Sequence, residues 1–394
     1  MTGHHPRVEI FEEGMREGMQ IESADIPVEA KIRLLDALSA TGLRNIVVGS
    51  FVSPRWVPQM ARVEEVIAGF TPVEGVSYSA LALNAKGAER RAAHTPPLSP
   101  PPAVQRTTVH LCDVFVQRNT AKSQRDEIAA LPGTIARAVE RGTTDAVVAI
   151  NAAWGSNWVG PFSLEQRLEV LDLQFAAWRA AGVEPRTIWI GDPMSWNTPR
   201  AVEETIRACV QRFPGVTTYH LHLHDGRGSA LTSAYVALRA LGAEHTLALD
   251  TSVGGMGGCP YCGNGRATKM IPTEDLVDLL HEEGVETGVD LGRLIEAAHV
   301  AEEVVGHELY GHVSKVGPRP RGDALYAMDM PFVETVDEAQ HFRLGAATYA
   351  GCLSPWKQPI TSPARDAAEG GRPVVLLRPE ATETPSTTNT GGTP

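Results

Sequence analysis

The chain has 394 residues, 43% hydrophobic and 21% charged. That is enough apolar content for a sizeable core, which excludes a disordered chain and a disulfide-stapled miniprotein. The 35 basic and 47 acidic side chains leave a formal charge of −12, which argues against partners such as nucleic acid or an anionic membrane, since both demand a basic face. In chain order, Val8–Phe11 reads as a strand, and Pro27–Ala40 as a helix with Val28, Ile32, Leu35 and Leu38 on one face and Gly42 as its stop. Asn45–Gly49 is the next strand, and Val63–Gly69 lies in the next helix. Further strands are expected at Glu74–Leu81, Thr108–Val116, Asp145–Ala149, Thr187–Gly191, Thr217–His222 and Thr246–Asp250. Helices are expected at Gln124–Glu140, Leu164–Ala181, Arg200–Arg212 and Ala230–Leu241, with Thr273 capping a last one that carries Glu274 and Asp275 in its first turn.

Alternation of this kind requires a parallel sheet, and eight such units predict a (β/α)8 TIM barrel, with an open doubly wound sheet as the rival. The catalytic barrel is expected over residues 1–305. An irregular, proline- and aromatic-rich C-terminal extension packed on it follows at 306–362, and a polar, disordered tail at 363–394. The proline-rich Thr95–Val104 reads as a surface insertion. No apolar run approaches the ~18 residues of a membrane span, and Met1–Arg7 lacks the apolar segment of a signal peptide. Five cysteines, an odd and low count, suggest free thiols in a reducing compartment and a cytoplasmic protein.

Three segments carry chemistry. In Tyr219–Gly228, YHLHLHDGRG, the histidines at 220, 222 and 224 alternate and so share one face of a strand. Two imidazoles at that spacing make a metal pair, whereas hydrogen-bonded histidines at a polar strand end are the plainer alternative. Phe11–Gln20, FEEGMREGMQ, places Arg16 beside Glu17 after the first strand, where a barrel would face them toward the seventh strand across one mouth. Gly254–Thr268, GGMGGCPYCGNGRAT, is a glycine loop carrying Cys259 as an acid, base or nucleophile. Its Cys259 and Cys262 also form a CxxC, open to reading as a dithiol redox pair or half a zinc site. Asp192 and Asp113 sit at strand ends, where a carboxylate either orients substrate or caps the helix that follows.

Together these segments resemble the hydroxymethylglutaryl-CoA lyase branch of the DRE-TIM metallolyases, which also include isopropylmalate and homocitrate synthases. Ser50–Met60, SFVSPRWVPQM, is the most specific match. Arg16-Glu17-Gly18-Met19-Gln20, His222-Leu223-His224-Asp225, Gly257–Tyr261, Thr273–Leu276, and Asn84 with Lys86-Gly87 add to it, over residues 8–300. The resemblance implies a divalent cation, Mg2+ or Mn2+ with Zn2+ open by ligand type, held by Glu17, His222, His224 and the loop Asn264. It implies Arg16 on an enolate oxygen, Cys259 as acid/base at the enolate carbon, Asp192 as a further catalytic carboxylate, and Gln20, Asn84 and Asp113 at the substrate.

The chain departs from the lyases at Val47, where they carry Glu, and at Cys112-Asp113-Val114-Phe115 in place of S-E-x-F. It departs again at Asn151–Phe162, at Pro193 after Asp192, and in the C-terminal extension. The implied activity is metal-dependent carbon–carbon cleavage of a 3-hydroxy-3-methylglutaryl-CoA-like thioester, with an acyl-CoA or hydroxy acid as substrate. A homodimer is left open. The same site run in reverse would be a Claisen-type condensing enzyme acting on a 2-oxoacid, and a zinc or thiol-redox scaffold is the non-enzymatic alternative.

Overall fold

Apolar runs such as NIVVGS, AVVAIN and TIWIGD, buried along most of their length, lie in eight strands of a computed structural model that describes residues 5–101 and 104–371. The strands are β1 Arg7–Glu12, β2 Asn45–Ser50, β3 Ser77–Leu81, β4 Gln105–His110, β5 Ala146–Asn151, β6 Thr187–Asp192, β7 Thr218–Leu223 and β8 Thr246–Thr251. On β7, Tyr219, Leu221 and Leu223 are fully buried against the surrounding helices, which leaves His220 and His222 on the other, lumen-facing side. The order around the sheet is β3-β2-β1-β8-β7-β6-β5-β4. First and last strands pair in parallel from Arg7↔Thr246 to Glu12↔Thr251. That pairing curls the sheet into the expected (β/α)8 TIM barrel.

Helices follow the strands: α1 Val28–Ser39, α2 Val63–Gly69, α3 Ala85–Ala92, α4 Asp113–Thr120, α5 Gln124–Glu140, α6 Leu164–Ala180, α7 Pro199–Arg212, α8 Ala230–Ala240, α9 Thr273–Glu282 and α10 Leu291–Val305. Their starts are chemically marked. Ser123 and Ser163 close capping boxes with Asp126 and Gln166, satisfying first-turn N–H groups that would otherwise lack partners.

Two expectations shift. The strand expected at Thr108–Val116 lies at Gln105–His110, and the chain turns into α4 with Cys112 as its cap. A short apolar run has no period of its own, and Asp113 in the first turn favours the helix. Thr273 is the first residue of α9 rather than its cap, and its hydroxyl donates to the Glu12 carboxylate on β1.

The proline-rich segment is more than a surface insertion. Among the described residues no ladder joins β3 to β4, so the β3 edge needs other partners. The Ser99 N–H donates to the Tyr78 carbonyl at 2.8 Å, and Arg91 Nε to the Ala80 carbonyl at 3.1 Å. Leu98 is only 1% exposed. Residues 102 and 103 of that segment lie outside the described residues.

Residues through Pro318 form one compact unit, and a second begins at Arg319. Residues 306–318 thus fold with the barrel. The Tyr310 N–H donates to the Gly254 carbonyl at 2.8 Å, and Asp275 accepts the N–H groups of His312 and Val313. The second unit contains short helical turns and the helix Pro363–Glu369, and Tyr326, His341 and Tyr349 make edge-on ring contacts within it. The tail expected to be disordered starts at that helix; its remainder, 372–394, lies outside the described residues. No helix of the described residues is long and apolar enough to cross a membrane.

Candidate active site

β1 ends at Glu12, and the chain winds through a wide turn in which the Gly18 N–H bonds the Glu13 carbonyl at 3.2 Å. The turn directs Arg16 and Glu17 to the C-terminal mouth of the barrel. Arg16 Nη1 donates to Glu17 Oε2 at 2.7 Å, and its Nε pairs with Glu13. Burial works against the Arg16 charge, but Glu13 and Glu17 hold its pKa above the ordinary value.

β7 delivers the histidines to the same place. His222 Nε2 lies 3.2 Å from His224 Nε2, and His224 Nε2 lies 3.6 Å from Glu17 Oε1. Among the described residues, Glu17, His222 and His224 are the group of three such side chains able to hold a metal, their ligand atoms all within 4.8 Å of one another. Asp250 on β8 sets the tautomer: its Oδ2 accepts from His222 Nδ1 at 2.8 Å, and its Oδ1 from His220 Nε2 at 2.6 Å. With Nδ1 bonded to Asp250, Nε2 is the His222 atom turned toward the other imidazole nitrogen. Burial and the neighbouring His222 push the His224 pKa well below its usual value, whereas for His222 the Asp250 and Glu17 carboxylates outweigh burial and raise it. Two imidazole nitrogens 3.2 Å apart beside a carboxylate must share either a proton or a cation, and a nitrogen, nitrogen, oxygen donor set suits a divalent ion. The residues present therefore fit a metal.

The glycine loop after β8 leans over this cluster. Gly258 must lack a side chain, because a Cβ there would sit 1.8 Å from the Gly265 carbonyl oxygen. Gln20 Nε2 donates to the Gly258 carbonyl at 3.3 Å, and the Cys259 N–H to Thr268 Oγ1 at 3.1 Å. Thus Gln20 holds the loop that carries the thiol. Cys259 is buried in a cluster with Cys112, Phe115, Ala152, Met194 and Cys262. Cys262 donates to the Pro193 carbonyl at 2.9 Å, and burial, with Cys259 beside it, pushes the Cys262 thiol far up. Cys262 therefore stays a thiol, and the zinc-scaffold reading finds no cysteine ligand set among the described residues.

The other expected site residues have local duties. Asp192 is buried and accepts from the Asn197 side chain and from the N–H groups of Trp196 and Asn197, bracing the loop after β6. Burial raises its pKa. Asn84 caps α3 by accepting the Gly87 N–H. Asp113 lies in the first turn of α4 and accepts the Gln124 N–H at the start of α5. Asn264 is exposed, and its Oδ1 accepts from Asn157. Asp250 escaped the sequence reading because only strand register puts a carboxylate beside His220 and His222.

A barrel whose mouth gathers two histidines and a carboxylate is the layout of an enzyme that uses a metal ion on substrate held above its strands. The chain belongs to the HMGL-like family, matching it over residues 7–301. The family is divalent-metal dependent. The chain is 34% identical to the mitochondrial hydroxymethylglutaryl-CoA lyase of Mus musculus, over 74% of this chain and 83% of that one. It is equally 34% identical to a Pseudomonas aeruginosa 3-hydroxy-3-isohexenylglutaryl-CoA/hydroxymethylglutaryl-CoA lyase, over 76% and 93%. The solved structure of an Acinetobacter baumannii HMG-CoA lyase, in complex with coenzyme A and 3-methylmalate, matches with a TM-score of 0.65 and 26% identity over 83% of this chain and all of that one.

Proposed function

We propose that the protein is a divalent-metal-dependent carbon–carbon lyase that cleaves a 3-hydroxy-3-methylglutaryl-CoA-like thioester through an enolate. The observation that carries this reading is the convergence of Glu17, His222 and His224 beside Arg16 at the barrel mouth. The relatives named as lyases support the direction of cleavage. Glu17, His222 and His224 would hold Mg2+ or Mn2+, with Zn2+ open by ligand type. When bound, that ion supplies polarisation of the substrate's hydroxyl oxygen.

The reaction takes the proton from the C3 hydroxyl, breaks the C2–C3 bond and leaves that electron pair in the thioester enolate. Arg16, fixed between Glu13 and Glu17, is aimed at charge developing on the enolate oxygen. Cys259 delivers the proton to the enolate carbon. Gln20 acts by holding the loop that carries this thiol. The five free cysteines fit a reducing compartment, which we take to be the cytoplasm. The test is incubation of 3-hydroxyacyl-CoA substrates with Mg2+ or Mn2+, following products by mass. A 3-oxoacid and a shortened acyl-CoA are expected from the native protein and none from His222→Ala; equal turnover by both would refute the reading.

A further inference from the structure

The second residue of β4 carries a charge that the reaction above does not use. The Arg106 guanidinium carbon lies 3.9 Å from the ring centroid of Trp189, a residue of β6, with β5 between the two strands. A contact that bridges an intervening strand is made on the lumen side. The same indole stacks on His222, ring centroids 5.5 Å apart. Arg106 therefore sits in the lumen wall below the cluster of Glu17, His222 and His224. It is exposed to water, yet desolvation by the surrounding protein pushes its pKa down to about 10.

The guanidinium is held but not neutralised. Its Nε donates to Thr108 Oγ1 at 3.2 Å, which leaves the two terminal nitrogens as a free fork. Among the described residues no carboxylate forms an ion pair with it. The acids nearby are committed elsewhere: Asp250 to His220 and His222, Glu13 and Glu17 to Arg16. Asp250 acts on the Arg106 charge from a distance and Arg16 opposes it, which leaves the terminal nitrogens open to an anion, and a planar guanidinium fork matches a carboxylate.

We propose that Arg106, laid on Trp189, receives the carboxylate at the end of the acyl chain remote from the thioester, so that the enzyme selects carboxylate-terminated 3-hydroxyacyl thioesters. This deepens the lyase reading and rests on it for the identity of the thioester. Arg106 is a specificity residue here and takes no part in bond breaking.

The test compares 3-hydroxy-3-methylglutaryl-CoA with its terminal primary amide, which has the same size without the charge, in the native protein, R106M and R106K. The native protein should favour the acid by about tenfold or more in kcat/KM, mostly through KM. R106M should lose that preference and R106K recover part of it. Equal discrimination by the native protein and R106M would overturn the proposal and leave Arg106 as a plug in the barrel floor. Binding of free 3-hydroxy-3-methylglutarate to metal-free protein, read by tryptophan fluorescence, should weaken about tenfold in R106M; unchanged binding would likewise overturn it. If the native protein cleaves neither thioester, the lyase reading fails, and the binding comparison still decides Arg106. Should R106M not fold, R106K carries the same comparisons.

Discussion

At the scale of single residues, Asp250 and Cys259 separate metal binding from proton transfer. Asp250 makes no place in the ligand set but fixes the rings of His220 and His222. Replacing such a partner usually costs about 10–100-fold in metal affinity. Asp250→Asn should therefore weaken Mn2+ binding by that factor in calorimetry, with the fold intact; unchanged affinity would mean that His222 is oriented by packing alone. Cys259→Ala should lower kcat by about 10²–10⁴ and leave Mn2+ affinity alone. Parallel losses in both would make the residue a structural prop of the loop. The alternation of His220, His222 and His224 was visible in the sequence, but the choice of Glu17, His222 and His224 as a metal trio came from the family resemblance and not from spacing. Asp250 was not legible, since its role comes from lying beside β7 across a register that no local pattern records. Arg106 fell just outside the strand read at Thr108–Val116, so its inward parity was invisible.

At the scale of elements, two buried acids hold the start of the catalytic loop. Glu12 accepts the N–H groups of Gly14 and Val253, and Glu274 accepts that of Gly254. Burial raises Glu12 to about 7 and Glu274 to about 8. Below their ordinary pKa both folded and unfolded chains are protonated, and the full stabilisation is present. As pH rises past it, the unfolded chain releases protons that the fold retains, so stability falls by about 1.4 kcal/mol per pH unit per group until the folded values are passed. Glu274→Gln should flatten this fall between pH 5 and 8 in urea titrations. A variant profile as steep as the native one would show that Glu274 is ionised in the fold. The helices were legible at this scale because an apolar period such as Val28, Ile32, Leu35 and Leu38 on α1 is local. The duty of the proline segment was not, because the edge it covers belongs to β3 and is left open by barrel geometry rather than by any nearby residue.

At the scale of the whole molecule, the alternation of strand and helix made the barrel legible, and the pairing of β1 with β8 brings its first and last strands together. The boundary was less so: the apolar side chains buried among the described residues end at Val313, past the point where the regular pattern stops. A core that needs nothing after Pro318 should survive without it. A chain of residues 1–318 is expected to unfold cooperatively within a few degrees of the full-length protein, whereas loss of cooperativity would assign the later residues a share in barrel stability. The central claim is that Glu17, His222 and His224 meet at one ion. Pulsed electron paramagnetic resonance of the Mn2+-loaded protein tests it most directly. Couplings from two imidazole nitrogens are predicted, with one lost in each of His222→Ala and His224→Ala; a spectrum without nitrogen couplings, or one unchanged by both substitutions, would contradict it.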